Sequence, residues 1–78
     1  MIKQRILQWQ LLADQWRSEN KNIFIKTWNG NLHFCKIVMV GETQITVDNH
    51  GPDQRAGTRD YIDWLNVQEF AKDRGEGE

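Results

Sequence analysis

The chain has 78 residues and a formal net charge of −1, with four Trp, three Phe and one Tyr in an apolar fraction of 38%. A single domain of that length buries only about 60% of its unfolded surface, so it gains from a disulfide, a metal or self-association. The single cysteine, Cys35, excludes an internal disulfide, and two distant histidines, His33 and His50, give no zinc spacing, which leaves self-association.

No stretch approaches the roughly 20 apolar residues of a membrane span, and the start of the chain lacks a charged segment leading into an apolar one. The expectation is a cytoplasmic protein with a reduced thiol and no membrane partner. Residues 73–78 carry three acids and one Arg and read as a disordered acidic tail, while the rest holds nine bases and eight acids. A general nucleic-acid binder needs a basic face to neutralise phosphates, so any such contact here must be local or multiplied by repetition.

In chain order, Ile2, Ile6, Trp9, Ala13 and Trp16 recur at alternating spacings of four and three. With Leu12 beside them they predict a helix over about 2–18 with one apolar stripe. Leu7 and Leu11 fall on the other side, where burial against a second subunit or partner would explain them. The polar run Ser18–Asn22 ends the helix. Ile23–Trp28 alternates as a strand, Asn29-Gly30-Asn31 is a hairpin turn, and Leu32–Val40 is a long strand with apolar groups on both faces. A strand apolar on both faces belongs inside a closed or stacked sheet and must bend to serve both halves. Gly41-Glu42-Thr43 turns the chain, and Gln44–Asp48 buries Ile45 and Val47. A polar loop then runs from Asn49 to about Thr58. Arg59–Trp64 and Val67–Ala71 are the last two strands, joined by a corner at Leu65-Asn66, with Phe70 as a core anchor.

One helix, five strands, a long bent second strand and a tight break between the last two resemble the Sm-like family, which includes the bacterial Hfq ring proteins. The similar residues are Ile23-x-Ile25 leading into Asn29-Gly30, then Leu32-x-Phe34-Cys35-Lys36-Ile37-Val38, and later Gln44-Ile45-Thr46-Val47. The match spans about residues 3–72 and departs at four points, one of them the turn before the third strand, where Gly41 or Val40 replaces the expected Asp. Cys35 and Gln44 stand where a small Gly and an RNA-contacting Asn are usual, and the Arg-Gly signature finds only Arg55-Ala56 or an isolated Arg59. The resemblance implies a mainly β fold with one N-terminal helix, a five-stranded, strongly bent antiparallel barrel of SH3 type. It also implies a ring of identical subunits, about five to seven, in which the fourth strand of one pairs with the fifth of the next.

On that resemblance, Thr43, Gln44, Arg55 and Arg59 would line the pore and contact single-stranded RNA, with amide groups at base edges and guanidinium groups at phosphates. Leu7, Leu11, Tyr61, Trp64 and Phe70 would supply the subunit contact, as aromatic anchors do at interfaces. Each of the four polar residues also has an ordinary reading as a turn or strand-end group. A homo-oligomeric scaffold or protein-interaction module of the same fold, without nucleic acid, is the alternative. His33 and Cys35 share a strand face at a spacing of two, where a small buried thiol is the simpler reading than a nucleophile with its base. No constellation indicates an enzyme, a metal or a cofactor.

Overall fold

The computed structural model describes residues 2–50 and 57–72. Helix α1 (Ile2–Ser18) leads into strands β1 (Asn22–Thr27), β2 (Leu32–Val40), β3 (Gln44–Asn49) and β4 (Arg59–Asp63), a 3-10 turn over Trp64–Asn66, and β5 (Val67–Lys72). The helix stops where Asn20 enters the left-handed region at φ +58°, with Lys21 N–H donating to Trp16 O and Asn20 N–H to Arg17 O. That pair of bonds is a Schellman closure, and Asn tolerates the conformation because its short side chain costs little there. Gly30, at φ +93°, does the same for the β1–β2 hairpin.

The five strands form one antiparallel sheet in the order β4-β3-β2-β1-β5. Only three residues join β4 to β5, a reach of about 10 Å, yet the two strands occupy opposite edges. The sheet therefore curls until its edges approach at the 3-10 turn. Ile62 from β4, Trp64 from the turn and Phe70 from β5 consequently share one core with Ile23, Ile25, Cys35, Ile37, Ile45 and Val47.

The expected barrel is not closed: no ladder joins β4 to β5. The reason is local. Trp28 N–H donates to Asn66 O and Thr27 pairs with Val67, so the chain leaving the turn is taken up at once by β1.

Strand β2 is apolar on both faces through a bulge, since the register with β3 shifts between Ile37 and Met39. Before it, His33, Cys35 and Ile37 are buried; after it, Met39 is exposed and Val40 packs on the core. Helix α1 covers the core with the stripe the spacing predicts. Ala13 is fully buried, Ile6, Trp9 and Trp16 pack beside it, and Ile2 lies outside the described side chains. Trp9, Trp16, Trp64 and Phe70 form an aromatic cluster with ring centroids 5.3 to 6.4 Å apart. Among the described residues, no helix is long and apolar enough to cross a membrane.

Candidate functional site

The pore residues expected from sequence do not form one locus within the chain. Thr43 and Gln44 are exposed at the start of β3, where Gln44 pairs with Asp63. Arg59 pairs with Asp48 at the far end of the same ladder, four residues or about 13 Å away. Its guanidinium is also engaged: Nε donates to Asp48 Oδ1 at 2.8 Å and Nη2 to Oδ2 at 3.2 Å. These bonds hold the Asp48 carboxyl below the usual carboxylate range and push the Arg59 guanidinium up. Arg55, and the expected acidic tail over 73–78, lie outside the described residues.

The expected subunit contact divides in two. Trp64, 1% exposed, and Phe70, 8% exposed, are spent inside the chain's own core. A corner that turns the edge strand back over the sheet carries both rings inward, so Trp64, expected at the subunit contact, is core, and Phe70 is the core anchor its strand pattern predicts. Tyr61 is 64% exposed on β4, while Leu7 and Leu11 are 59% and 75% exposed on α1 beside Val40 and Gly41.

The backbone of β4 is more informative. Trp64 N–H donates to Thr43 O and Asn49 N–H donates to Thr58 O, so even-numbered positions of this segment turn their polar backbone groups toward β3. In an antiparallel ladder the alternate residues point the other way. The N–H and C=O groups of Arg59, Tyr61 and Asp63 therefore face the open edge. Strand β5 likewise has a sheet partner only on its β1 side.

Sequence reading missed a buried polar cluster that joins β2, β3 and β4. Asn49 Nδ2 donates to Asp60 Oδ2 (2.8 Å), Thr58 Oγ1 (3.1 Å) and Thr58 O (3.3 Å), and Asn49 Oδ1 lies 3.1 Å from His33 Nδ1. His33 and Asn49 are both buried. Asp60 Oδ2 lies 3.4 Å from His33 Nδ1. The signal was a strand, not a loop, at Asn49. An Asn in a strand reads as a turn residue until its partners, 9 to 16 residues away, are known.

Cys35 adjoins this cluster but brings no nucleophile to it. Burial, with the negative charges of Asp60 and Asp48, pushes its thiol up to about 12 from 9.0. Among the described residues, no group of three or more His, Cys, Asp or Glu is placed to hold a metal ion. Compared with models of protein families and with curated proteins, the sequence matches none.

Proposed function

We propose that this chain is a self-assembling β module, in which the β4 edge of one copy pairs with the β5 edge of the next to make a closed ring of about five to seven subunits. The observation that carries this reading is the sheet order, which leaves one unpaired edge at β4 and one at β5 of the same curled sheet. Such edges recruit strands, and joining the two different edges head to tail satisfies both without leaving a free end once the ring closes. Asp63 on β4 and Glu69 and Lys72 on β5 put charges on the two edges, and an Asp63–Lys72 pairing would favour one register over indiscriminate pairing. The Sm-like resemblance supports the same arrangement.

Assembly alone, as a scaffold, is favoured over RNA binding at the pore. Gln44 faces an acid across the ladder, Arg59 is neutralised by Asp48, and the chain is near neutral overall. None of these supplies the cationic surface that phosphate binding requires.

The test is absolute mass by light scattering on a sizing column, with absorbance at 260 and 280 nm read across the peak, for the natural chain and for Tyr61→Pro. Proline at 61 removes a donor on the open side of β4 and leaves the bonds to β3 intact. The expected result is a multimer of about five to seven subunits free of nucleic acid, reduced to single chains by Tyr61→Pro with its far-ultraviolet spectrum retained. A natural chain that stays monomeric at high concentration overturns the reading. So does an unchanged mass in the variant, and stoichiometric RNA in the peak overturns the preference for a scaffold.

A further inference from the structure

Helix α1 carries more apolar surface than the chain's own core uses. Ile6, Trp9, Ala13 and Trp16 already serve that core, yet Leu7 and Leu11, one helical turn apart, stand exposed. A surface helix with one buried stripe carries polar residues elsewhere, so two leucines in register outside the stripe mark a contact surface.

Leu7 and Leu11 form one wall of a groove of about 500 Å3 whose other wall is Val40 and the β2–β3 turn. The two walls are tied together, because Gln10 Nε2 donates to Gly41 O at 3.1 Å and to Glu42 O at 2.9 Å. A groove held in this way is organised before anything enters it, which lowers the entropy cost of binding. Each wall also carries a carboxylate residue that lines the groove, Asp14 on α1 and Glu42 on the turn. Arg17 Nη2 holds Asp14 Oδ1 at 2.9 Å, but this is an exposed pair on one helix, the kind that solvent screens and an incoming cation can share. Leucines along the groove with an acid on each wall complement a segment that is apolar on one side and basic beside it.

We propose that this groove docks an amphipathic helix of a partner protein. Two aliphatic side chains of that helix, one turn apart, pack against Leu7, Leu11 and Val40, and a Lys or Arg beside them meets Glu42 and Asp14. Helix-in-groove recognition reads anchors at that spacing. The inference takes the scaffold reading one step further by naming the class of partner, and its purpose rests on that reading. The groove itself lies within one chain, so docking does not require the ring. A ring would offer one groove per subunit and so gain avidity for a partner that carries several such helices.

The probe is a blocked, fluorescently labelled alanine-based helix of about 15 residues, long enough to hold in water, with two leucines one turn apart and a lysine beside each. One control replaces its leucines by serine, the other its lysines by glutamate. Anisotropy at low salt is expected to show saturable binding of one helix per chain, lost with the serine control and weakened about 10-fold or more with the glutamate control. Leu11→Gln exchanges an exposed residue for another good helix former, so it should weaken binding about 10-fold or more with the far-ultraviolet spectrum unchanged. Tyr61→Pro should bind the helix as the natural chain does, which keeps a failed ring distinct from a failed groove. No saturable binding, equal binding of either control, or undiminished binding by Leu11→Gln would overturn the site. A lower assembly mass for Leu11→Gln would assign the groove to a second copy of the chain and overturn the partner.

Discussion

At the scale of single residues, the molecule's chemistry is concentrated on the inner face of β2, where His33 and Cys35 differ sharply in what they can do. The Cys35 thiol is fully buried and raised to about 12, so at pH 8 its thiolate fraction is lower than that of an ordinary thiol by roughly three orders of magnitude. A disulfide reagent should label the folded chain at least 100-fold more slowly than the urea-unfolded chain. The linkage has a definite sign. Above 9.0 the unfolded thiol ionises while the folded one does not, so stability is complete below pH 9 and falls as pH rises toward about 12. Urea midpoints at pH 8 and pH 10.5 measure it, and Cys35→Ala should lose that part of the slope. Equal midpoint changes in the two proteins would show that the thiol is not the group responsible.

At the scale of elements, the turn between β2 and β3 is where helix and sheet are tied together. Gly41 O accepts from Gln10 Nε2 at 3.1 Å and from Trp64 Nε1 at 2.9 Å, and Gln10 Nε2 also donates to Glu42 O at 2.9 Å. One carbonyl thus joins α1, the turn and the 3-10 corner. Gly41 N–H donates to Gln44 O, and a Cβ at Gly41 would sit 2.7 Å from that same oxygen. Backbone on both sides leaves no flexible group to yield. Gly41→Ala should destabilise the fold by about 1 to 3 kcal/mol, the usual cost of overpacking, seen as a lower urea midpoint. Gln10→Ala, which opens no clash, should cost about 1 kcal/mol. An Ala at 41 as stable as the natural chain would mean that the turn adjusts without strain.

At the scale of the whole molecule, two open edges on one small sheet couple stability to concentration. A partner that binds only the folded chain stabilises it by mass action, so the proposed assembly makes the unfolding temperature rise with protein concentration. Across a 100-fold range the natural chain should gain several degrees, whereas Tyr61→Pro should melt at one temperature throughout. Calorimetry over that range decides it, and a concentration-independent transition in the natural chain would count against edge-to-edge pairing. With Trp64 and Phe70 taken into the core, Tyr61 on β4 and Leu65 at the 3-10 turn are exposed apolar groups beside the open edge, and Leu7 and Leu11 are exposed on α1.

The sequence by itself determined the local elements: the stripe through Ile6, Trp9, Ala13 and Trp16, the alternation of Ile23 and Ile25, the Asn29-Gly30 turn, and the burial of Ile45 and Val47. Each is a short-range pattern, set by the helical or strand repeat and by which residues tolerate positive φ. Tertiary structure alone decided what depends on distant neighbours. The bulge after Ile37 decided which apolar side chains of β2 face inward, and the curl of the sheet took Trp64, expected at a subunit contact, into the core beside Phe70. The partners of Asn49 and His33, brought from separate strands, made a buried network from residues that in sequence are only polar. Inward-facing direction and hydrogen-bond partnership are properties of strand pairing, and pairing joins residues that no local repeat connects.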